Sequence, residues 1–158
     1  MVGMLGVKEI PKMNYSLVAV ALLAGVAVAA EKPVKMKDLP PAVQKTVQEQ
    51  TKGAELRGLS KEVENGKTFY EAETKVSGKT RDVLIDPSGA VVEVEQEVAL
   101  DSIPAAAKAA IEKYAQGGKI VLVETVTKGG GVSYEAHVSR NGKKSEVKVA
   151  SDGTINKD

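Results

Sequence analysis

The sequence predicts an α+β protein made of two tandem repeats, each a helix followed by four antiparallel strands. Three observations predict it. The tripeptide Tyr70-Glu71-Ala72 returns 64 residues later as Tyr134-Glu135-Ala136. Glycines at expected turns keep the same offset, at 66 and 130, 78 and 142, and 89 and 153. Within each copy, apolar residues first recur every four positions, as on a helix, and then alternate, as on a strand. Aligning 39–94 with 103–158 without a gap gives eleven identities in 56 positions. Ordinary residue frequencies would give roughly three or four. Self-similarity of this extent reads as internal duplication.

The chain divides accordingly. Residues 1–30 read as an export signal. Lys8 and Lys12 precede an unbroken apolar run from Leu17 to Val28, and small residues at 27–30 offer a cleavage site. The run is shorter than the ~20 residues that span a bilayer. The expectation is therefore a periplasmic or secreted protein with no membrane span after cleavage. Residues 31–38 read as a polar linker, 39–98 as the first repeat and 99–158 as the second.

Leu39, Val43 and Val47 lie four apart on one helical face, and Ile103, Ala107 and Ile111 repeat them. Asp38 and Ser102 are placed to cap the helix starts, Pro40 and Pro104 suit the first turn, and Gly53 and Gly117 suit the ends. First strands follow at 54–64 and 118–128, with Gly58 a candidate bulge. Hairpin turns come at Asn65-Gly66 and Gly129-Gly130-Gly131. The second strands carry the repeated tripeptide. Turns at Ser77-Gly78 and Asn141-Gly142 lead to third strands at 79–85 and 143–149. Asp86-Pro87-Ser88-Gly89 and Ser151-Asp152-Gly153 turn into last strands near 90–98 and 154–157.

Alternation assigns the faces. Tyr70, Ala72, Thr74 and Val76 share one, matched by Tyr134, Ala136 and Val138, and continued by Val83, Ile85, Val147 and Val149. This face is expected beneath the helices. The other carries Phe69, Glu71, Glu73, Asp82 and Leu84 in one copy, and Glu135, His137, Glu146 and Lys148 in the next. It is expected to be polar and open to solvent.

Each copy thus has a Leu/Ile-Pro helix start, a helix ended by glycine, a Tyr-Glu-Ala strand and a Gly-Lys turn (Gly78-Lys79, Gly142-Lys143). In this order and spacing the chain resembles the PepSY-like domains, related in fold to the beta-lactamase inhibitor protein. The resemblance covers essentially all of 31–158. It implies two four-stranded antiparallel sheets joined into a larger curved sheet with helices on one face. It also implies export and a non-catalytic role in binding or inhibiting proteins. The inhibitor grips its target through an aromatic-rich sheet face, whereas Phe69 is the sole large aromatic on the corresponding face here.

Composition narrows the chemistry. Net charge is +1 and aromatics make up 3% of the chain, which gives no basic surface or stacking platform for nucleic acid. There is no cysteine, so disulfides and thiolate chemistry are absent. His137 is the single histidine. Beside Glu135 and Glu146 it reads as a solvent-facing strand residue rather than a metal ligand. Glu71 and Glu73, and Glu93, Glu95 and Glu97, read as solvated strand charges that deter aggregation. Catalytic residues, cofactors and metal ligands are not expected. The candidate partner surface is Phe69, Glu71, Glu73, Asp82, Leu84, Glu135, His137, Glu146 and Lys148, and the expected partner is an exported or envelope protein or peptide. Two other readings stand beside it. One is a sensor of a small ligand or divalent cation using Glu71, Glu73, Glu135, His137 and Glu146. The other is a structural envelope protein that self-associates through the sheet.

Overall fold

The computed structural model describes residues 29–156 of the chain. The export segment read at 1–30 lies, except for its last two residues, outside the described part. Eight strands form one antiparallel sheet in sequential order, with two helices. Strand β1 (Ala29–Pro33) leads through a 3₁₀ turn (Met36–Asp38) to helix α1 (Pro41–Gln50). Strands β2 (Glu55–Glu64), β3 (Lys67–Val76), β4 (Lys79–Ile85) and β5 (Val91–Glu97) follow. A second 3₁₀ turn (Leu100–Ser102) and helix α2 (Ala105–Ala115) then lead to β6 (Lys119–Lys128), β7 (Gly131–Arg140) and β8 (Lys143–Ala150).

The helices cover the apolar face. Val43 and Val47 of α1 pack with Leu39, Ala72, Val83 and Ile85. Ala107 and Ile111 of α2 pack with Ile103, Val123, Ala136, Val147 and Val149. Tyr70 and Tyr134 lie against these two clusters, half-buried. Thr74 is buried on the same face because its hydroxyl donates to the Arg81 carbonyl at 2.5 Å, which satisfies a polar group that would otherwise be costly to bury. The C-terminal carbonyls of each helix meet an arginine from the sheet. Arg81 bonds the Gln50 carbonyl at 3.4 Å, and Arg140 bonds those of Tyr114 and Ala115 at 2.6 and 3.1 Å. A cation there complements the negative end of the helix dipole.

The sheet is continuous, with β5 hydrogen-bonded to both β4 and β6, as the expected joining of the two halves requires. Several other expectations change. Residues 31–38 are not merely a linker, because β1 pairs with β2 through Lys32–Lys61 and Pro33–Ser60. Asp38 makes no capping bond and sits in the 3₁₀ turn, while Pro40 occupies the cap position of α1. The last strand near 154–157 is reduced to a single bridge between Ile155 and Val149. The bulge is present, as a register shift between Leu56 and Gly58, and β6 has another between Ile120 and Leu122.

Candidate functional site

The face turned away from the helices is acidic, and its carboxylates are far less exposed than the sequence suggests. Cross-strand register builds it in rows. One row runs Ser60, Glu71, Leu84, Glu93 and Lys128 across β2 to β6. The next holds Glu73, Asp82, Glu95 and Val126. A third runs Glu97, Glu124, Glu135 and Lys148 across β5 to β8, and Leu122, His137 and Glu146 follow it. Neighbouring strands lie about 4.8 Å apart, so side chains in one row shield each other from water. Glu124 is 2% exposed, and Glu62, Glu93 and Glu135 are also buried. Glu71, Glu73, Asp82, Glu95 and Glu146 are half-buried.

The predicted surface therefore falls into two groups. Phe69, Glu71, Glu73, Asp82 and Leu84 lie on β3 and β4, and Glu135, His137, Glu146 and Lys148 on β7 and β8. Strands β5 and β6 separate them. What joins the groups is Glu93, Glu95 and Glu97 on β5 and Glu124 on β6, with Glu62 on β2 and Glu31 near the edge. The β5 acids alternate along a strand and could have been read as part of this face. An edge role for them fails because β5 is central. Glu124 has a serine, Ser60, at the corresponding place of the first copy, so the repeat gave no sign of it.

Crowding like charges in a partly dry setting raises their pKa values. Burial pushes Glu71 up to about 8, aided by Asp82, Glu31, Glu62 and Glu73. Burial raises Asp82 to about 7, with Glu124 adding to it. Glu62 reaches about 7 through burial, then Glu64, Glu31 and Glu93. Glu95 rises furthest, to about 9, from burial and then Glu135, Glu124 and Glu93. Compensation from cations is sparse. Lys128 pairs with Glu93 at 2.5 Å and Lys148 with Glu135 at 3.2 Å. His137 sits among three acids, its Nε2 3.4 Å from Glu124 and 3.7 Å from Glu135, and its Nδ1 3.3 Å from Glu146. Burial depresses its pKa, but Glu124, Glu146 and Glu135 together leave it raised.

Leu84, between Glu71 and Glu93 in its row, joins this acidic field to Phe69. With Val92 and Pro87 they line an open apolar depression rimmed by Glu64, Lys67 and Lys128. Asp86, beside it, has its carboxyl occupied by its own turn. Oδ1 accepts from the amides of Ser88 and Ala90 at 2.8 and 3.1 Å, and from the Ser88 hydroxyl at 2.5 Å. These bonds hold it below the usual carboxylate range, and they close the turn expected at 86–89.

An eight-stranded antiparallel meander with helices on one face is the fold of beta-lactamase-inhibitor-protein-like (BLIP-like) proteins. Among solved structures, a Bacteroides eggerthii protein provisionally named periplasmic matches with a TM-score of 0.61 and 18% identity, over 75% of this chain and 86% of that one. A DUF2874 family protein from Bacteroides uniformis matches at 0.59 with 19% identity, over 75% and 86%. A BLIP-like protein from Bacteroides fragilis matches at 0.53 with 18% identity, over 75% and 85%. No family model and no curated protein matches the chain. Among the described residues, no helix is long and apolar enough to cross a membrane.

Proposed function

We propose that this chain is an exported, non-catalytic binding module that takes a cationic segment of a protein or peptide on the acidic face of its sheet. The observation that carries the reading is the buried and half-buried row system of Glu71, Asp82, Glu95, Glu124 and Glu135, in which burial and like charge raise the pKa values of Glu71, Asp82 and Glu95. Such groups repel each other, and an incoming lysine or arginine would relieve that repulsion. Charge complementarity then supplies both specificity and on-rate. Phe69 and Leu84 offer an apolar foothold beside it. The acidic field also disfavours nucleic acid, whose phosphates it would repel.

The BLIP-like fold supports a binding role, and the provisionally periplasmic neighbour supports export. The chain is a tandem PepSY-like duplication, supported by elements that recur at 64 residues: β1 and β5, α1 and α2, β2 and β6, β3 and β7. Residues 1–30 are its removable signal.

The test is a titration of the purified protein with a lysine-rich decapeptide and a neutral serine-glycine control. We expect saturable binding of the lysine peptide, weakened at least tenfold by Glu71→Lys or Glu95→Lys and by raising salt from 50 to 300 mM. Equal binding of both peptides, or indifference to both charge reversals, would exclude this face.

A further inference from the structure

We propose that Nε2 of His137, Glu124 and Glu135 form a site for a divalent first-row transition ion of the zinc type, with Glu146 holding the opposite ring nitrogen. The site does not depend on the cationic-partner reading, because it sits in the β6–β8 corner and needs only its own donors. Glu135, His137 and Glu146 each offer a ligand atom, all within 4.8 Å of one another. Glu124 and Glu135 approach His137 Nε2 at 3.4 and 3.7 Å, and Glu146 approaches Nδ1 at 3.3 Å. Ligands bound at about 2.0–2.2 Å around a tetrahedral zinc lie roughly 3.3–3.6 Å from each other. Small side-chain adjustments thus bring Nε2 of His137 and the oxygens of Glu124 and Glu135 around one ion.

The second observation is Glu124 itself. Its side chain is 3% exposed and aimed at His137. Among the described residues no lysine or arginine pairs with it, and besides His137 only the Thr80 hydroxyl donates to it, at 3.4 Å. A carboxylate buried this deeply is ordinarily paired or on a metal. Three acids converge on one imidazole, and Lys148 takes only Oε2 of Glu135, leaving Oε1 toward His137. A dication balances this charge where one imidazolium cannot. With the ion on Nε2, beside Glu124 and Glu135, Nδ1–H donates to Glu146, an arrangement that fixes ring tautomer and orientation. A nitrogen donor selects zinc-like ions over calcium, which prefers six to eight oxygens.

The single histidine makes the test direct. Untagged protein is titrated with zinc while the imidazole resonances of His137 are followed by NMR, and affinity is measured in parallel by calorimetry with zinc and with calcium. We expect the imidazole signals to shift and saturate at one zinc per chain. Affinity should fall at least tenfold in His137→Gln and in Glu124→Gln, stay unchanged in Glu71→Gln, and be at least a hundredfold weaker for calcium. An imidazole that ignores zinc, binding retained in His137→Gln, or calcium bound as tightly as zinc would each overturn the site. Loss of peptide binding by Glu71→Lys with zinc binding intact would separate the two readings.

Discussion

Glu71 shows how much one residue's sequence position tells and where it stops. Alternation places its side chain opposite Tyr70 and Ala72, and that direction holds: Ala72 is fully buried under the helix while Glu71 faces the acidic side. Exposure was not legible, because it depends on Leu84 and Ser60 standing beside Glu71 in register and on Glu31, Glu62 and Asp82 from three other strands. Neither pairing is a local property of the sequence. The consequence is measurable. A carboxyl whose pKa is raised by folding binds its proton more tightly folded than unfolded. Its contribution to stability is complete below the unfolded value near 4.3 and is lost as pH rises through the folded value, about 8 for Glu71. Asp82 and Glu62, each raised to about 7, act in the same sense. Unfolding free energy should therefore decline between pH 5 and pH 9. Glu71→Gln should be near neutral at pH 5 and stabilising by on the order of 1–2 kcal/mol at pH 9. Denaturant melts across that range check it; a stability rising toward pH 9 would contradict the charge crowding.

At the scale of elements, turns and helices were the most legible parts and strand ends the least. The helix faces carried by Val43 and Val47, and by Ala107 and Ile111, are buried as their spacing requires. Strand β1 was hidden because its run, AAEKP, is too short to alternate and ends in proline, which an edge strand tolerates. The turn glycines, alike in sequence, differ in role. Gly66 has φ +75° and open space around it, so a side chain there meets backbone strain only. Gly89 has φ +88°, and a Cβ would stand 2.8 Å from the Ala42 carbonyl oxygen at the start of α1, where Thr46 also bonds the Gly89 carbonyl at 2.6 Å. Gly153 repeats the contact against Ala106 of α2 at 2.7 Å. The loops after β4 and β8 thus clamp the helices to the sheet. Gly66→Ala should cost about 1 kcal/mol, the ordinary left-handed penalty. Gly89→Ala should cost at least about 2 kcal/mol more, since backbone must also move. Equal losses in thermal melts would show that the clamp does not bear on stability.

For the whole molecule, one sheet carries two separate cores on one face and a shared charge field on the other. Ile85 belongs to the α1 cluster and Ile111 to the α2 cluster. Ile85→Val and Ile111→Val should each cost about 1 kcal/mol and add to within about 0.5 kcal/mol when combined. A larger coupling would mean that the cores are one. The two-helix, antiparallel architecture was legible because turns and helix faces are local. The union of the halves into one sheet came only with the family resemblance and from no local pattern, because it depends on β5 pairing with β6 across the helix that separates them in sequence. That same pairing turns two modest acidic patches into a single field, the one we propose for a cationic partner. The most direct test of this account is a carboxyl-carbon NMR titration of Glu71, performed on the free protein and with a saturating lysine-rich peptide. The account predicts an apparent pKa of about 8 in the free protein, falling by at least one unit when the peptide is bound. A free value near 4.5, or a raised value that the peptide leaves unmoved, would contradict it.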